Sequence, residues 1–276
     1  MTARKPKLLL ANDDGIDAAG IKALHEAIRS TYDVLVVAPK YEKSGAGCSL
    51  SLGGEMEVIP HKEDGVIWGY AVDGTPADCV KFALQAIPGY RPDLVLSGIN
   101  RGSNMGNSVF YSGTVAAAIE ATLYGLPAMA CSLSFEKVDA KHHYADAARV
   151  VKSLIPWLLS FQQEPRTFWN INFPDRPFDR MGPIRLTTQG TSFYTDDFTL
   201  YREEGDSQFF VNSGWELKGC TMKPDSDDKA VFAGEIALSL LRTDLTVPIP
   251  RAAAISLESH LGSLVRHHAA TDHARG

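Results

Sequence analysis

PDLVLSGINRGSNMGNSVFYSGTVAAAIEATLYG, residues 92–125, sets the reading of the whole chain. It opens on PDLVLSGIN (92–100), whose apolar run suits a strand covered on both faces. It closes on TVAAAIEATLYG (114–125), a helix that stops at Gly125. Between them lies a loop carrying Gly98, Gly102, Gly106 and three asparagines, costly to order unless the backbone must approach something closely. Strand, polar loop and helix make one β-α unit, and LPAMACSLS (126–134) supplies the next strand.

The alternation continues toward the N-terminus. KLLLA (7–11) reads as a strand, and IDAAGIKALHEAIRS (16–30) as a helix with Asp17 as N-cap and Ile21, Leu24 and Ile28 on one face. DVLVVAP (33–39) is a buried strand ending at proline. EMEVIP (55–60) and VIWGYAV (66–72) read as shorter strands, and GTPADCVKFALQAI (74–87) as a helix capped at Thr75 or Asp78. The pattern predicts an α/β fold: a doubly wound, mainly parallel sheet, Rossmann-like and three-layered, with right-handed crossovers. Past residue 190, aromatic and polar residues alternate through TSFYTDDFTLYREEGDSQFFVNSGWELKG (191–219), which fits a hairpin. AAAISLESHLGSLVRHHA (252–269) can form an amphipathic helix anchored by Ile255, Leu257, Leu261 and Leu264, with an unstructured tail after it. The expected division is a catalytic core, 1–190, and a hairpin/helix extension, 191–276. Exposed Phe and Tyr on such a hairpin predict a partner.

Composition narrows the function. With 276 residues, 45% hydrophobic and 22% charged, the chain suits a soluble globular protein with a sizeable core. A net charge of −6 argues against binding a nucleic-acid polymer, which needs a basic face. Cys48, Cys79, Cys131 and Cys220 are far apart, so neither a zinc ribbon nor a disulfide framework is expected. No stretch reads as a membrane span or signal peptide, and a cytoplasmic location is expected.

In parallel sheets, ligands sit outside the carboxyl ends of the strands at a switch in strand order. Three loops therefore matter: Asn12-Asp13-Asp14-Gly15, the SGAGCSLSLGG loop beginning at Ser44, and Ser97 to Gly102 with Asn100. Asp13 and Asp14 have a bland reading as turn residues, but the company of a hydroxyl and a carboxamide favours a site. Such an all-oxygen set suits Mg²⁺, Mn²⁺ or Ca²⁺ rather than zinc. Ser112, Gly113 and Thr114 open a helix, where free N–H groups and the dipole favour phosphate; ordinary capping is the alternative. A hard cation beside a phosphate cradle suggests hydrolysis by an activated water. No Gly-Lys dipeptide supports a P-loop, no G-x-G-x-x-G follows the first strand, and Asn12 stands where an aspartyl-phosphate enzyme needs its nucleophile. The histidines lie outside these loops, and His25 reads as a surface residue of the first helix.

NDDGI (12–16), VVAPKYEKSGAGCSLSL (36–52), VDGTPADCVKFAL (72–84), the long run 92–133 and NINFP (170–174) together resemble the stationary-phase survival protein SurE family of metal-dependent nucleotidases. The resemblance implies that Asp13, Asp14, Ser44 and Asn100 bind one divalent cation per subunit, with Asp13, Asp14 and Asn100 catalytic. It implies phosphate contacts from Ser112, Gly113 and Thr114, with Asn104 nearby. It further implies cleavage of nucleoside 5′-monophosphates, extending to 3′-nucleotides and short polyphosphate, and a homodimer or homotetramer built through the C-terminal segment. The chain departs from the family at Ala11, usually Thr, and at Lys40-Tyr41-Glu42, usually Asp-Arg-Asn, which bears on substrate preference. The alternative is a nucleotide- and metal-binding regulatory protein with little or no turnover.

Overall fold

The computed structural model describes residues 4–63, 65–134, 142–213, 217–218 and 223–272. The elements in order are β1 (Lys7–Ala11), α1 (Ala19–Ile28), β2 (Asp33–Pro39), β3 (Val58–Glu63), β4 (Val66–Val72), α2 (Pro76–Gln85), β5 (Leu94–Arg101), α3 (Gly113–Leu123), β6 (Ala128–Ser134), α4 (Tyr144–Ser160), β7 (Thr167–Pro174), β8 (Ile184–Thr187), β9 (Phe193–Tyr194), β10 (Phe198–Glu204), β11 (Ser207–Asn212), β12 (Leu217–Lys218), α5 (Asp227–Phe232), β13 (Ile236–Arg242) and α6 (Arg251–Asp272). The main sheet runs β3-β4-β2-β1-β5-β6-β7-β13-β8. Its centre, β4 to β7, is parallel, while β3 and β13 join antiparallel to β4 and β7.

Period-two alternation in β1 builds the layers. Leu8 and Leu10 face a core shared with Ile21, Leu24 and Ile28 of α1 and Val151 and Ile155 of α4. Leu9 and Ala11 face the opposite core, with Val80 and Ala83 of α2 and Val115 and Ala118 of α3. The expected three-layer, mainly parallel α/β fold is observed. Strand order reverses at β1, which pairs with β2 on one side and β5 on the other. The carboxyl ends of β1 and β5 are thus the switch point.

Several local expectations change. Helix α1 begins after Ala18 with no side-chain cap. Asp17 instead pairs with Lys22 (2.8 Å) and His61 (3.3 Å). His25 is buried rather than superficial, its ring 5.1 Å from that of Trp68. Its spacing explains this, since 21, 24, 25 and 28 form one helical stripe. The strand expected at 55–60 runs Val58–Glu63. Thr75 caps α2 in a reciprocal box with Asp78, so both candidates serve. The hairpin β10/β11 turns at Gly205-Asp206, with Phe198, Tyr201 and Phe210 exposed.

Two compact units emerge, Met1–Thr243 and Asp244–Gly276. The boundary drawn at 190/191 falls inside the first, because β13 returns to the core sheet against β7. In the second, α6 exposes Ile255, Leu257 and Leu261, while the side chain of Leu264 and most of the tail lie outside the described residues. Among the described residues no helix is long and apolar enough to cross a membrane.

Candidate active site

Beyond β1 the chain turns at once. The Asn12 amide donates to the Gly15 carbonyl (2.8 Å), and Gly15 takes φ +101°, a conformation glycine adopts readily. The turn delivers Asp13 into the protein, where only 3% of its surface remains exposed. Thr114 Oγ1 donates to Asp13 Oδ1 at 2.5 Å, and the main-chain N–H groups of Gly113 and Thr114 also act on this carboxylate. A Cβ on Gly113 would lie 2.7 Å from Asp13 Cβ and 2.9 Å from Pro76 Cγ, so only glycine permits this approach. Burial pushes the Asp13 pKa up, while the hydrogen bonds from the start of α3 pull it down. The positive end of α3 therefore serves Asp13 directly.

Asp14 Oδ2 accepts the main-chain N–H of Arg101 (2.9 Å), which ties the β1 loop to the end of β5. Burial first, then the neighbouring charge of Asp13, pushes its pKa up to about 6; Glu42 adds to the rise. Asn100, mostly buried, donates its amide N–H to the Gly102 carbonyl (2.8 Å), which leaves its carbonyl oxygen for another partner. The loop after β2 joins through Lys43, whose main-chain N–H donates to the Asp13 carbonyl (2.8 Å). Ser44 follows, exposed, with its hydroxyl donating to Glu42 Oε1 at 2.6 Å. The Arg101 guanidinium lies 3.8 Å from that same oxygen.

Two expected phosphate contacts are engaged elsewhere. The Ser112 hydroxyl accepts from Val115 N (3.0 Å) and caps α3. The Asn104 amide donates to Ser132 Oγ on β6 (2.8 Å), while Asn170 and Asn172 of β7 bond the Asn104 main chain. The glycine-rich loop has further supports that sequence reasoning missed. Asp227, at the start of α5, accepts N–H from Gly106 (3.2 Å) and Gly190 (2.8 Å), and Asp228 accepts from Ser192 (3.1 Å). Both acids are buried. The signal was a Ser-Asp-Asp run before a short apolar stretch, which reads as ordinary capping.

The switch point thus holds an acid pair gripped by a helix start and by two neighbouring loops. A family model described as survival protein SurE matches residues 8–196. The chain belongs to the SurE family. A 5′-nucleotidase SurE from Pelobacter propionicus is 42% identical over 244 residues, spanning 87% of this chain and 94% of the relative. A 5′/3′-nucleotidase SurE from Shigella dysenteriae is 40% identical over 242 residues, spanning 87% and 91%. The crystal structure of the SurE protein from Aquifex aeolicus superposes with a TM-score of 0.74 at 34% identity, covering 87% of this chain and 95% of that one. The SurE match ends at residue 196, so the β10/β11 hairpin lies beyond it.

The chemistry of the expected donors, two carboxylates with a hydroxyl and an amide oxygen and no thiolate or imidazole, suits a hard divalent cation. Among the described residues no three His, Cys, Asp or Glu side chains form a metal cluster, so neutral oxygens must complete any such shell. Burial is the main cause that raises the Asp13 and Asp14 pKa values, and the neighbouring Asn12 in sequence keeps its Oδ1 buried with no hydrogen-bond partner among the described residues.

Proposed function

We propose that the chain hydrolyses nucleoside 5′-monophosphates to nucleoside and phosphate, using one divalent cation per subunit: Mg²⁺, Mn²⁺ or Ca²⁺. The observation that carries this reading is the contact from Thr114 to Asp13, which joins the helix start to the acid pair. The names of the relatives support the substrate class, and that of the Shigella relative supports 3′-nucleotides too. Short polyphosphate rests on the family resemblance alone.

Asp13, Asp14, Ser44 and Asn100 would hold the cation. Bound there, a hard cation offsets phosphoryl charge and makes water more acidic. Asp13, Asp14 and Asn100 are the proposed catalytic residues. The Thr114 hydroxyl holds Asp13 in place, and Arg101 N holds Asp14. Ser112, Gly113, Thr114 and Asn104 are assigned to the phosphate side; Asn104 keeps a second amide N–H beside the one given to Ser132. The exposed aromatics of the hairpin, and separately the apolar residues of α6, support a homodimer or homotetramer built through the C-terminal extension. A small-molecule substrate, no nucleic-acid polymer, no membrane and a cytoplasmic setting complete the reading.

Phosphate release from AMP tests it. Release is expected to need added metal, to stop with EDTA, and to fall at least ~10²-fold in Asp13→Ala, about 2.7 kcal/mol of barrier. Tight AMP binding with no phosphate released over hours would make the chain a regulator instead.

A further inference from the structure

The β2 loop carries a third acid, Glu42, whose placement bears on Ser44. A serine hydroxyl has one hydrogen and two lone pairs. In Ser44 that hydrogen goes to Glu42 Oε1 at 2.6 Å, within the range of a charge-assisted O–H···O⁻ bond. The bond fixes the hydroxyl rotor and frees the lone pairs of Oγ. It also raises the electron density on the oxygen, as partners behind a metal ligand commonly do.

Two further contacts hold Glu42 at this task. Lys43, between it and Ser44, is fastened by its main-chain N–H to the Asp13 carbonyl (2.8 Å), so the loop cannot drift from the acid pair. On the other side Arg101 lies 3.8 Å from Glu42 Oε1, while its own N–H binds Asp14. The Arg101 and Glu42 side chains are each about half exposed (50% and 52%), so this ion pair is a loose restraint. The bond to Ser44 is the specific one.

We infer that Glu42 is a positioning residue which orients and strengthens Ser44 as a ligand, and so sets the affinity of the crevice for a divalent cation. The inference rests on the metal reading of the site. Glu42 is not assigned as a ligand itself, since its near oxygen is turned to Ser44. Its charge also reaches Asp14, and the part assigned to positioning passes through that hydroxyl.

Calorimetric titration of Mn²⁺ alone into the full chain tests this without any substrate. Glu42→Gln is expected to weaken Mn²⁺ binding about 10- to 100-fold, with Glu42→Asp recovering part of the loss. In a Ser44→Ala background the same Glu42→Gln change is expected to cost less than about threefold, because the path through the hydroxyl is already cut and only the weak effect of charge is left. The metal-free melting temperatures of wild type and Glu42→Gln should agree, which separates positioning from folding. Binding by Glu42→Gln within twofold of wild type would overturn the inference. So would a full Glu42→Gln penalty that survives in the Ser44→Ala background, which would mean that Glu42 acts by charge alone. Failure of the wild type to bind Mn²⁺ overturns the metal reading, and the inference with it.

Discussion

Thr114 Oγ1 stands 2.5 Å from Asp13 Oδ1, although 101 residues separate them. A hydrogen bond to a buried carboxylate is worth about 1.5–3 kcal/mol. Thr114→Val keeps the shape and removes the donor, so turnover of AMP should fall roughly 10- to 100-fold by this arithmetic. Thr114→Ser should retain most activity. Equal rates for the valine and serine variants would show that the hydroxyl does not matter.

Gly113 tests the packing beside that bond. A methyl group there meets Asp13 and Pro76 at under 3 Å, and neither belongs to a flexible tip. Gly113→Ala is expected to destabilise the chain by about 1–3 kcal/mol and to displace Asp13. Melting curves and AMP turnover should both decline; an unchanged pair of values would mean that α3 yields more easily than its contacts imply.

The raised pKa of Asp14 gives a pH signature. Its carboxyl titrates near 3.8 when unfolded and near 6 in the folded, metal-free chain. Between those values the native state holds a proton that the unfolded state has released. Stability from this group is therefore full below about pH 4 and is lost as pH rises through about 6. The metal-free melting temperature should show a falling component across this window that Asp14→Asn removes. Added Mn²⁺ should raise the melting temperature more at pH 7 than at pH 5, since protons and metal compete for one carboxylate.

Asp227 is expected to matter although it is far from the acid pair in sequence. Asp227→Asn keeps one acceptor oxygen but points an amide at main-chain N–H groups, leaving buried donors unpaired. A loss of at least about 2 kcal/mol, roughly 4 to 8 °C in melting temperature for a chain of this size, should follow. Thermal scans of the variant measure it directly.

Charge on the hairpin tests assembly. Phe210 and Tyr201 are exposed at 54% and 72%. If a second copy covers them, Phe210→Asp or Tyr201→Asp should shift the mass seen by light scattering toward the monomer. An unchanged mass would place the interface elsewhere.

The sequence made β1, β2 and β5 legible because their apolar runs are short, nearly uninterrupted and closed by glycine, proline or polar residues. The loops after them could then be placed at one edge by topology alone. Helix α4 is harder to read because Pro156 lies inside it, although Ala147, Val151, Ile155 and Leu158 keep helical spacing. Partner choice was not legible. Whether Ser112 caps its helix, whether Asn104 reaches Ser132, and where Asp227 spends its oxygens depend on tertiary neighbours, and no periodic pattern records them.

Lys43 and Arg101 hold the two acids with peptide N–H groups rather than with their side chains. Every residue except proline carries that donor. At positions 43 and 101 the hold on the acids is thus independent of the side chain present. Side chains at 43 and 101 can drift, and the rim of the crevice can be retuned toward new esters, with the frame beneath it unchanged. Libraries randomised at these two positions should yield many active members, with proline conspicuously missing among them.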